Sequence, residues 1–197
     1  MTIKKKLFSF GLAILADMSL GIFCASGLGK LTHHRVAWFE YGLAMFFGIL
    51  PDMDVLAQFF REKKIDAEHK SWTHIPMLMI PAVLIISFLA NACLHGTSLF
   101  WAFMPASCIF AHLVHDMCER GPGVAIFAPF SNRKYRRPRF VEGKLRIRMS
   151  GRESAIERTV TLDQWLEREY LHVTANSTLG VIMFCLAVSL VLIDKLG

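Results

Sequence analysis

Three stretches of the chain run the length of a membrane span with almost no charge. Leu7–Leu28 has 22 residues and a single charge at Asp17, Ile75–Leu94 has 20 and none, and Ala175–Ile193 has 19 and none. A bilayer core of ~30 Å needs roughly 20 apolar residues at ~1.5 Å of rise each. Composition agrees: 54% of the residues are hydrophobic and 19% charged, against about 45–50% and about 25% in soluble domains. Such a balance excludes a disordered chain and a small disulfide scaffold. Two shorter runs, Val36–Leu50 with Glu40 inside it and Ser98–Leu113 with His112 near its end, bring the expected number of membrane helices to five. The expected fold is an all-α integral membrane protein: a helical membrane domain over 1–130, a small basic module over 131–174, and a C-terminal membrane helix over 175–197.

Charge gives the expected orientation. Lys4, Lys5 and Lys6 precede a first run longer than the ~7–15 apolar residues of a secretory signal, so an uncleaved anchor is expected. Under the positive-inside rule these lysines, the Arg61–Lys64 cluster and the block Arg133–Arg148 lie in the cytoplasm. That block holds eight Lys/Arg against one acid, Glu142. Gly29–Arg35 and His95–Thr97 are then outside, which leaves Lys30, His33, His34 and Arg35 as a small positive group on the outer side. Five cysteines without CxxC spacing sit mostly inside apolar runs and read as buried thiols.

The basic module carries local signals. Leu145, Ile147 and Met149 alternate with Arg146 and Arg148, a strand pattern, and Glu142-Gly143 can turn a hairpin into it. Thr161 to Gln164 reads as a capping box that opens a helix to about His172. The module is expected to rest on anionic lipid headgroups. It has no nucleic-acid motif.

Ionisable residues at membrane boundaries are costly unless used, and three clusters stand out. Asp52 and Asp54 follow Pro51 at the end of the second run, close enough to reach one cation together. His69 and His74 precede the third run. His112, His115 and Asp116, at i, i+3 and i+4, share one helix face, and the His112/Asp116 pair delivers a nitrogen and an oxygen to one point as a zinc-type ion requires. With the N-terminus inside, all three clusters fall on one face of the membrane, so a shared metal site is expected there. Asp17 lies about ten residues into the first run, and a lone acid at that depth must pair, meet a metal or stay protonated. It can orient a ligating histidine, relay a proton, or bond a hydroxyl.

The order Leu50-Pro-Asp-Met-Asp54, His69-Lys-Ser-Trp-Thr-His74, then His112 to Asp116 followed by Gly121-Pro-Gly-Val-Ala-Ile-Phe-Ala-Pro-Phe-Ser131, resembles a family of bacterial inner-membrane metal-dependent hydrolases that includes a LexA-regulated member. The likeness covers Gly48 to Ser131. It implies a helical, membrane-embedded relative of zinc-dependent phospholipase C and P1-type nucleases, in the bacterial inner membrane. Carried over, Asp52, His74, His112 and Asp116 would be metal ligands, and Asp54 and His69 ligands or their supports. Lys70 and Ile75 depart from the Arg and Ser of the family's second motif. Family members also tend to carry a His near the start of the first helix, which this chain lacks.

The expected activity is hydrolysis of a phosphoester, such as that of a lipid headgroup, at the cytoplasmic face, with Zn²⁺ or Mn²⁺ as the divalent metal. Asp52 or Asp54 would accept the proton of an attacking water, and Arg133, Lys134 and Arg136 would draw in the anionic substrate. The alternative is a membrane protein that handles a metal or protons without hydrolysing anything, the role that inward-facing His and Asp also mark.

Overall fold

The computed structural model describes residues 3–53, 72–94, 98–118, 124–131, 133–141, 144–148, 161–171 and 174–196. The first run forms α1, Ile3–Thr32, and the second α2, Trp38–Ile49. Pro76–Leu94 is α3 and Leu99–Cys118 is α4. A hairpin of β1, Tyr135–Val141, and β2, Lys144–Arg148, comes before the short α5, Leu162–Glu169, and the long α6, Ala175–Leu196.

Helix α1 is the spine. It packs against α2, α4, α5 and α6, while α3 packs mainly on α4. The main core joins Ile22 and Ala25 of α1 to Tyr41 and Ala44 of α2, Phe100, Met104 and Cys108 of α4, and Ala187 and Val191 of α6. Outside this core α3 and α6 remain apolar, with Ile85, Ile86, Leu89, Leu186 and Ile193 exposed. A helix that is apolar all round needs either protein or lipid on every side. Three helices among the described residues are long and apolar enough to cross a bilayer: Leu7–Thr32, Pro76–Leu94 and Ala175–Leu196.

The expected five spans reduce at α2. Its 12 residues extend only ~18 Å at ~1.5 Å each, short of the ~30 Å hydrocarbon layer. The helix begins at the C-terminal end of α1 and stops at the level of Asp17. Pro51 lies in the 3₁₀ turn Leu50–Asp52 that follows, where its missing N–H cannot continue the α-helical ladder. Close approach holds α2 in place: a Cβ on Gly48 would overlap the Asp17 carbonyl, and one on Gly21 would overlap the Ala44 carbonyl. Small residues at such a crossing let two backbones touch. Helix α4 has 20 residues, enough to cross, but it spends part of its length on His112, His115 and Asp116.

The basic module follows its local signals. Val141 pairs with Lys144, the register expected of the hairpin, and Glu142 and Gly143 lie outside the described residues. Gln164 N–H donates to the Thr161 hydroxyl at 3.3 Å and Thr161 N–H to the Gln164 side chain at 3.0 Å, completing the capping box. The helix ends at Glu169, earlier than His172. Leu166 and Tyr170 then pack onto Phe10, Leu12 and Ala13, which places α5 beside the N-terminal half of α1.

Candidate metal centre

Three separate segments bring the centre together. The 3₁₀ turn after α2 supplies Asp52, the 3₁₀ turn Trp72–His74 before α3 supplies His74, and α4 supplies His112 and Asp116. Asp52, His74 and His112 each offer one donor atom, and the three lie within 4.8 Å of one another. His74 Nε2 is 3.3 Å from Asp52 Oδ1 and 3.7 Å from Asp116 Oδ2. His112 Nε2 is 3.6 Å from the same Asp52 oxygen and 3.3 Å from the same Asp116 oxygen. Four ligands held at ~2.0–2.1 Å from a tetrahedral centre stand ~3.3–3.4 Å apart, so these separations suit a zinc-sized ion.

The remaining ring nitrogens explain why the imidazoles point this way. His74 Nδ1 faces the Thr73 hydroxyl at 3.1 Å. A ring with its proton on Nδ1 donates to that oxygen and leaves the Nε2 lone pair aimed at the carboxylates. His112 Nδ1 faces Asp17 Oδ1 at 3.2 Å, the carboxylate–histidine arrangement that fixes metal ligands. His115 Nδ1 donates to the same Asp17 oxygen at 2.8 Å. Of the roles open to Asp17, the structure thus shows the contact needed for orienting a histidine.

Both imidazoles are sealed from solvent, whereas the Asp52 and Asp116 side chains keep 21% and 14% exposure. Neither nitrogen of His112 has a hydrogen bond of good geometry. Buried polar atoms are nearly always satisfied, so a donor set of this kind fits a cation between the rings and the acids.

The centre lies well along α1 from its N-terminal end. Asp17 is ~15 Å along α1 from Leu7, so the cluster that touches it lies level with the middle of the apolar stretch of α1 rather than with its end. The second run ends there because α2 is a half-length helix. His33 and His34 sit at the other end of α1, away from the centre, as expected. Asp54 and His69, and the Arg61–Lys64 cluster, lie outside the described residues. Of the basic residues assigned to the substrate, Arg133 is exposed, Arg136 is half-buried and Lys134 is buried. β1, which starts next to them, packs against α4. Thr73 carried no role in the sequence reading. Its place directly before a candidate ligand was the available signal.

The family described as YdjM inner membrane protein matches residues 14–194. No curated protein and no solved structure matches the chain.

Proposed function

The chain belongs to the YdjM inner membrane protein family, and from that premise we propose that it is a membrane-bound, metal-dependent hydrolase of phosphoesters. The observation that carries the reading is the convergence of Asp52, His74 and His112 from three segments, with Asp116 flanking both rings. These four residues hold a divalent cation, Zn²⁺ or Mn²⁺. When bound, such an ion supplies Lewis-acid charge for phosphate oxygens and lowers the pKa of a coordinated water toward ~7. Asp17 fixes the His112 ring and Thr73 fixes His74. Asp52 and Asp116 form the partly open side by which water and substrate arrive, and Asp52 or Asp54 accepts the proton of the attacking water. Arg133 and Arg136, with Lys134 behind them, favour an anionic substrate.

The depth of the centre favours a phosphoester carried by a membrane lipid. In this reading the N-terminus, with Lys4, Lys5 and Lys6, and the basic module lie on the cytoplasmic side. The test is metal content followed by turnover. Protein purified in mild detergent without chelator should carry near-stoichiometric metal, and nanodiscs containing phospholipid should release a phosphorylated headgroup or phosphate. Metal without turnover on any phosphoester would overturn the hydrolase reading.

One observation favours a second reading: His115, Asp17 and His112 form a chain of titratable groups inside the apolar layer. Such chains also mark metal or proton pathways. Because Asp17 touches His112, its replacement disturbs the centre under both readings. Metal or proton flux into sealed proteoliposomes separates them: flux without hydrolysis selects the pathway.

A further inference from the structure

A second polar cavity lies at the opposite end of α1, about 20 Å from Asp17 along the helix. Its volume is about 300 Å³, and its lining includes the exposed Lys30, His33, Arg35 and Asp194 together with the buried Ser26 and Tyr41. The walls are held firmly. His33 adopts φ 55°, the left-handed conformation that turns the chain after α1, and His34 N–H donates to the Gly29 carbonyl at 2.8 Å. His34 stacks on Phe100 with centroids 4.2 Å apart and meets the buried Glu40 carboxylate at 2.9 Å.

The Asp194 carboxylate is already neutralised. Asp194 accepts from the Tyr41 hydroxyl at 3.2 Å and pairs with Lys195 at 3.2 Å, and Lys195 also donates to the Val36 carbonyl. The Lys30 and Arg35 side chains, by contrast, are exposed and have no carboxylate partner among the described residues. Lys30 lies in the last turn of α1, where it offsets the helix dipole. Arg35 belongs to the loop and has no such role. The cavity therefore keeps a net positive charge even with both imidazoles neutral. Trp38 and Phe39 are exposed immediately after this loop, at 58% and 63%, and aromatic residues of this kind sit at the lipid headgroup level.

We propose that this cavity binds a phosphate-bearing anion, presented by a phospholipid headgroup of the leaflet away from the metal centre. Lys30 and Arg35 hold the phosphate oxygens by charge-assisted hydrogen bonds, the guanidinium in its two-pronged geometry, and the Trp38 and Phe39 rings lie along the acyl chains. The site is independent of the metal centre and of any hydrolytic activity.

The test compares wild type with Lys30→Gln/Arg35→Gln, and with Lys4→Gln/Lys5→Gln as a control for general membrane electrostatics. Each full-length protein in maltoside micelles is given phosphatidylglycerol or, as a phosphate-free match, diacylglycerol, and retained lipid is counted by native mass spectrometry. Wild type and the control should retain phosphatidylglycerol but not diacylglycerol, and the double variant should retain at least fivefold less at an unchanged Tm. If millimolar inorganic phosphate displaces that lipid and itself shows saturable binding by ³¹P NMR, the ligand is free phosphate, and the lipid source is overturned. Equal retention by the double variant and wild type overturns the site. If the double variant unfolds, Arg35→Gln alone, which leaves the α1 terminus intact, must show a reduced retention for the proposal to stand.

Discussion

His112 carries the heaviest load of any single side chain, because one ring nitrogen faces Asp17 and the other faces Asp52 and Asp116. His112→Ala should reduce bound metal per chain to background in elemental analysis. Asp17→Asn keeps the shape but removes the charge behind the ring, and metal affinity should fall about 10–100-fold, read by competition with a chelator. Unchanged affinity would mean that Asp17 only satisfies a polar need inside the helix. Protons should compete with the metal at His74. An imidazole must lose its proton to offer Nε2 to a metal. Metal affinity should therefore rise as pH goes from about 5.5 to about 8, and an affinity flat across that range would exclude His74 as a ligand. The residues that meet at the centre were legible as three polar clusters, and the family resemblance singled out Asp52, His74, His112 and Asp116 among them; that Asp52 and His74 sit on 3₁₀ turns was not legible. The Asp17–His115 contact was not, because it joins residues 98 positions apart and only the oddity of an acid at that depth pointed to a partner.

At the level of elements, the α1–α2 crossing is the joint that sets the Asp52 position. Gly48→Val must push α2 off the Asp17 carbonyl, and overpacking of this kind costs about 1–3 kcal/mol. The expected outcome is a lower Tm together with lost metal. Retained metal at lowered Tm would show that the 3₁₀ turn holds Asp52 without help from the crossing. Thr161→Ala gives the opposite pattern. Loss of the cap should cost about 1 kcal/mol through α5 and its Leu166 anchor while metal content stays unchanged. Local chemistry made the hairpin and the cap readable. The half-length of α2 was harder to see, because Val36–Leu50 is apolar enough to pass for a span, and its length is set by where it meets α1.

For the whole molecule, the ends of α1 separate two polar regions. Helix α5 packs beside its N-terminal half while β1 packs on α4, and the cavity with Lys30 and Arg35 lies at its far end. In a background lacking the five native cysteines, Arg133→Cys and Leu31→Cys should react with an impermeant thiol reagent from opposite sides of sealed vesicles. Labelling of both from one side would contradict a single crossing by α1. Composition and charge-free runs made the membrane character legible. They did not reveal that Lys134, inside a basic block, would be buried, since charge counts carry no information about packing.

The half-length of α2 also bears on how the protein is made. A segment of ~18 Å gives the insertion machinery too little apolar length to recognise as a span, so it enters the membrane only by docking on α1, which is synthesised before it. His112 and Asp116 emerge on α4 some sixty residues after Asp52, and until then the Asp52 turn has no partner from that helix in the apolar layer. Biogenesis is therefore ordered: α2 is the element most exposed to quality control during synthesis, and the metal-binding pocket is a late product of assembly.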